Sequence, residues 1–176
     1  MEMPELLALA ERCGFTAAAP LDPATLHFLP EVREMCAADR CHSYNRSWSC
    51  PPAAGTQAEI EARRRYTRGL LVQTVGERED EFDFEAIQAT EQRHEANFQA
   101  MTRAMRAEFA DLLPMGVGAC HRCERCTWPD APCRFPELVW PPMEACGLMV
   151  SQVCRDNGLA YYYGPTAISF TSCYLF

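Results

Sequence analysis

Four cysteines, Cys120, Cys123, Cys126 and Cys133, fall within fourteen residues of the stretch CHRCERCTWPDAPCRFP. Thiolates at every third position let a tight loop wrap one face of a cubic iron–sulfur cluster, and C-x2-C-x2-C with a fourth cysteine nearby is the ferredoxin spacing. Here six residues separate Cys126 from Cys133, where the ferredoxin run has three, and Pro136 follows three residues later instead of immediately. Gly116 and Gly118 precede the run. Glycines there allow backbone N–H groups to approach cluster sulfurs closely. Zinc is the rival ion, although its tetrahedral sites more often use two separated C-x2-C pairs. A second group, Cys36, Cys41 and Cys50, lies upstream in CAADRCHSYNRSWSCPP. Its spacing alone is a weak signal, because buried free cysteine is common. The setting strengthens it: Tyr44 and Trp48 can exclude water, and Pro51-Pro52 stiffens the chain after Cys50.

The chain has 176 residues and eleven cysteines, an odd number that fits poorly with full disulfide pairing. Its N-terminus, MEMPELLALAERCGF, has neither the basic start nor the long apolar run of a signal peptide. No segment has the length and apolarity of a membrane span. The expected setting is a reducing cytoplasm, where clustered cysteines bind metal or do redox chemistry. A net charge of −8 argues against nucleic acid as the main partner. All sixteen basic side chains are arginine. Arg40, Arg46, Arg122, Arg125 and Arg134 lie among the clustered cysteines, where they can offset thiolate charge.

The elements that must position these loops follow from pattern. Pro4 to Cys13 reads as a helix stopped by Gly14, and Pro30 to Met35 as a turn or two of helix leading into Cys36. Pro20 and Pro23 interrupt any regular element from Ala17 to Phe28. Cys36 to Gly55 reads as an ordered loop. Thr56 and Glu59 form a capping box for a helix ending near Tyr66. A strand is expected at Leu70 to Val75 and a long helix from Phe82 to Phe109. The apolar stripe of that helix is Phe84, Ile87, Phe98, Met101, Met105 and Phe109, interrupted by His94. Leu112 to Val117 is expected as a strand and Met143 to Asp156 as one helix. Leu159 to Tyr163 and Ala167 to Leu175 are expected as two final strands, with Tyr161 to Tyr163 in the core. Together these predict a single α/β (α+β) domain over residues 1–176: a small sandwich of a mixed sheet packed with helices, carrying two cysteine-rich loops.

Three motifs together, C-x2-Y-x3-W-S-C-P-P from Cys41, G-x-C-x2-C-x2-C-x6-C-R-x-P from Gly118 and P-x-M-E-x-x-G from Pro141, resemble a family of uncharacterised small proteins described as predicted metal-binding proteins. The resemblance runs from about Cys36 to the C-terminus. It implies metal or iron–sulfur binding at Cys36, Cys41, Cys50, Cys120, Cys123, Cys126 and Cys133, with no established reaction. The resembling proteins carry an aromatic residue where this chain has Cys146, and Cys13, Cys154 and Cys173 match no motif.

Seven grouped thiols are one short of two fully cysteine-ligated cubanes. Either the downstream four hold one cluster, or Cys133 crosses over to the upstream trio. The missing ligand is then His42, another cysteine, water or a substrate. His27, His94 and His121 read as packed or solvated, Arg63-Arg64-Arg65 as a solvated helix face, and Glu144 as an acid favoured by a helix N-terminus. The expected function is binding of one or two 4Fe-4S clusters for electron transfer with an unidentified redox partner protein, without nucleic acid or membrane. An enzyme using an open cluster position and a zinc-stabilised interaction module are the alternatives.

Overall fold

The computed structural model describes residues 1–176. A four-stranded sheet forms its middle layer, in the order β1 (Ala17–Leu21), β2 (Gly69–Glu77), β4 (Ala167–Leu175), β3 (Leu113–Met115). The expected α/β class is what is found. The sheet is antiparallel throughout where a mixed one was expected, and parallel pairing is confined to an isolated bridge between Gly116 and Pro142. The two prolines in strands, Pro20 and Pro114, sit on the edge strands β1 and β3. A missing N–H costs least at an edge, which is why Pro20 interrupts no element.

Alternation along the central strands sends side chains to two separate cores. Leu70, Val72 and Tyr174 face α1 (Met3–Arg12) and the long α4 (Phe84–Arg106), packing with Leu6, Phe98, Met101 and Met105. Leu71, Cys173 and Leu175 face the other way, towards Phe28, Ile60, Met143, Leu148 and Val153. That second layer holds α2 (Pro30–Ala37), α3 (Gln57–Glu61) and α5 (Val150–Asp156). The capping box of Thr56 and Glu59 opens α3 as expected, and a 3-10 turn (Ala62–Arg65) completes the helical stretch to Tyr66.

Four expectations need correction. His94 does not interrupt the stripe of α4: it is buried, with Nδ1 2.9 Å from Thr74 Oγ1 and Nε2 2.7 Å from Ser172 Oγ. Phe84, by contrast, is 71% exposed. The single helix expected from Met143 to Asp156 is broken at Gly147, which has φ +81° and whose amide bonds back to Glu144. A Cβ at residue 147 would lie 2.8 Å from the Leu29 carbonyl oxygen, so the chain passes too close to α2 for a continuous helix. Leu159 to Tyr163 is not a strand. Tyr161, Tyr162 and Tyr163 are exposed, and side chains hold the segment: Gln73 donates to the Ala160 carbonyl, Ser169 to that of Tyr161, and the Tyr163 hydroxyl to Gln73.

Candidate metal centre

The downstream cysteine loop leaves the sheet after β3 and is pinched shut at its base. The Gly116 N–H donates to the Pro141 carbonyl at 2.9 Å, and the Met143 N–H donates to Gly116 at 3.1 Å. The upstream loop begins at the end of α2, with Cys36 inside that helix. It winds tightly: Asp39, His42 and Asn45 all have positive φ, a region that Asn, Asp and His enter more readily than other side chains.

The fold brings the two loops against each other. Trp48 Nε1 donates to Thr127 Oγ1 at 3.3 Å and to the Ala131 carbonyl at 3.2 Å. Trp128 Nε1 donates to Asn45 Oδ1 at 2.9 Å, and the two indoles meet edge to face at 4.7 Å. Ser49 makes the most direct link. Its buried hydroxyl accepts the Cys120 N–H at 2.9 Å and lies 3.7 Å from Cys50 Sγ. One hydroxyl therefore touches a member of each cysteine group.

Cys120, Cys123, Cys126 and Cys133 all line one small pocket, walled by Trp48, Phe135 and Leu138. Cys133 thus lies with the downstream three. Burial raises the Cys120 pKa, the backbone N–H and guanidinium of Arg122 lower it, and neighbouring Cys133 and Cys123 raise it. The Phe135 N–H points at Cys133 Sγ, 3.4 Å away. In the upstream trio, Cys50 is buried, Cys36 half-buried and Cys41 exposed. Burial raises the Cys36 pKa, and negative charge on Cys41, Cys50 and Glu144 raises it further, against Arg33. Glu144 sits in a single 3-10 turn (Glu144–Cys146), too short to supply a helix dipole; burial raises its own pKa. His42 is exposed.

No three His, Cys, Asp or Glu side chains converge closely enough to hold a single ion. The buried Nε–H groups of Arg122, which lines the pocket, and of Arg33, whose charge acts on Cys36, have no acceptor. Thiolates and sulfide held by metal are acceptors of the right charge.

The remaining cysteines stand apart. Cys146, Cys154 and Cys173 are buried in the core between sheet and α5, and burial pushes the Cys146 thiol up to about 11 despite Arg63. Arg63 corrects the expectation of a solvated arginine run, since it donates to Cys146 Sγ and to the Ala54 carbonyl. Arg64 and Arg65 are also tied, to Glu61 and Asp111. Ser49 and Arg33 are the site residues that sequence reasoning missed. Their only local signals were a serine beside Cys50 and an arginine one helical turn before Cys36.

The chain is a member of the family described as predicted metal-binding protein (DUF2284), which matches residues 19–176. No curated protein and no solved structure matches the chain.

Proposed function

We propose that the chain is an iron–sulfur protein that exchanges electrons with a partner protein. Cys120, Cys123, Cys126 and Cys133 would hold a 4Fe-4S cluster, and Cys36, Cys41 and Cys50 with Glu144, not converged on one point in this structure, would have to draw together to hold a second metal. The observation that carries this reading is that all four downstream cysteines line one pocket, three of them at the C-x2-C-x2-C spacing of a cluster-binding loop. Tetrahedral zinc, with Zn–S bonds of ~2.3 Å, draws its sulfurs to about 3.8 Å from one another. A cubane spreads its ligand sulfurs to roughly 6–7 Å and leaves a cavity between them. The bound cluster would supply one-electron redox chemistry. The protein's own part is to donate N–H groups to the thiolates, place Arg122 and Arg33 beside the negative charge, and keep water out with Trp48. Glu144 is favoured over His42 as the extra donor of the trio, because its carboxylate acts on Cys36.

Anaerobic reconstitution followed by iron, zinc and acid-labile sulfide analysis tests the proposal. Brown protein whose broad visible absorption bleaches on reduction is expected. A colourless protein holding zinc alone under the same conditions overturns it.

A further inference from the structure

Beside the cysteine pocket lies a larger cavity, of about 300 Å³, that electron transfer alone does not use. Gln88, Glu91, Gln92 and Glu95 line it from one face of α4, at the three- and four-residue spacing that aligns side chains along a helix. The chain from Val117 to Arg122 forms the facing wall and includes Cys120. At the buried end Phe98 and Trp140 meet edge to face at 5.0 Å, next to His94 and Ser172. Two glycines shape the walls. A Cβ at Gly116 would sit 2.5 Å from the Trp140 indole, so that ring can occupy its place only because residue 116 lacks a side chain. Gly118 has φ +62°, and the position of its missing Cβ is 3.6 Å from Glu91 Oε1.

The charges in the cavity select its occupant. Arg122 is committed to Glu95, at 3.1 Å. His94 is held between Thr74 and Ser172 and is neutral, because burial pushes its pKa down to about 4. Glu91 takes part in no ion pair, so the cavity presents one uncompensated carboxylate at its exposed side, with the Trp140 indole at its buried end. A carboxylate with aromatic faces is the chemistry that recognises an ammonium group on an apolar body. An anion would meet the carboxylates of Glu91 and Glu95 on the α4 wall.

We propose that this cavity binds a small organic ammonium compound, with its charge against Glu91 and its apolar body towards the half-buried Trp140 indole, alongside Cys120. The site goes beyond metal binding and electron transfer, and the binding step does not depend on which metal the cysteines hold. Three probes of one size and different charge test it by calorimetry on the metal-loaded chain: benzylammonium, benzyl alcohol and benzoate. Benzylammonium should bind saturably and at least about tenfold more tightly than the other two. Glu91→Gln, a change at an exposed helix position, should remove that preference, Glu91→Asp should keep part of it, and Glu11→Gln on α1 should leave it intact. Equal binding of benzoate or benzyl alcohol, an unchanged preference in Glu91→Gln, or no saturable binding of any probe overturns the proposal. Metal and sulfide content measured on the same sample decides the cluster reading separately, so either idea can fail while the other stands.

Discussion

Ser49 sits where the two cysteine groups meet, and its hydroxyl is the smallest unit on which their arrangement depends. Ser49→Ala would leave the partly buried Cys120 N–H without an acceptor, a loss of about 0.5–1.5 kcal/mol. Chemical denaturation should show that loss, and metal analysis should show lower occupancy of both sites. Cys123→Ser and Cys126→Ser keep the approximate size but remove the soft thiolate. Each should yield folded protein with the downstream metal gone and the upstream metal retained; unchanged content in both would refute the ligand assignment. His94 makes a different prediction. Its folded pKa, about 4, lies below the ordinary value of 6.5, so the unfolded chain binds the proton more readily. The stability tied to neutral His94 is therefore complete above about pH 6.5 and is lost as pH falls towards 4, by on the order of 3 kcal/mol. Urea midpoints between pH 7 and pH 4.5 should fall for the parent chain and fall less steeply for His94→Gln.

Gly147 decides how one short element meets another. It lets the turn carrying Glu144 and Cys146 fold back onto α2, where the Leu29 N–H donates to the Gly147 carbonyl at 2.8 Å. Gly147→Ala meets both the positive φ and the Leu29 carbonyl, and should cost about 1–3 kcal/mol. Because Cys36 lies on α2 and feels Glu144, the same variant should bind less metal upstream while sparing the downstream cluster. Elements governed by local rules were legible in the chain itself. Thr56 and Glu59 announced α3, the apolar stripe announced α4, and Ala167 to Leu175 was bounded correctly as β4. The cysteine motifs were legible for the same reason, since ligand spacing within a loop is local. What escaped depends on distant backbone. The break at Gly147 comes from Leu29, more than a hundred residues away, and the burial of His94 comes from hydroxyls on β2 and β4. Three consecutive tyrosines carry a strand-like composition, yet side-chain bonds to Gln73 and Ser169 hold them outside the sheet.

Across the whole molecule, two apolar cores flank the sheet, and the downstream cysteines belong to neither. Removing metal should therefore leave the sheet and α4 folded while loosening both loops. The absence of lysine makes this measurable, because trypsin can cut only at arginine. Arg40, Arg46, Arg125 and Arg134 are exposed within the two loops. Chelated protein should be cut at these positions first, with circular dichroism still near that of the loaded form, and loaded protein should resist. Simultaneous loss of all ordered structure would instead tie the cores to the metal. The three tryptophans give the molecule a further property. Trp48 and Trp128 stand edge to face where the two loops meet, whereas Trp140 lines the separate cavity against Phe98. A coloured cluster among the thiols would drain the emission of the first pair by energy transfer, and a guest in the cavity would shift the colour of the third. With Trp140 replaced by phenylalanine in one sample and Trp48 and Trp128 in another, the chain becomes its own optical gauge: a cluster on Cys120 dims both samples, and a guest in the cavity shifts the colour only where Trp140 remains.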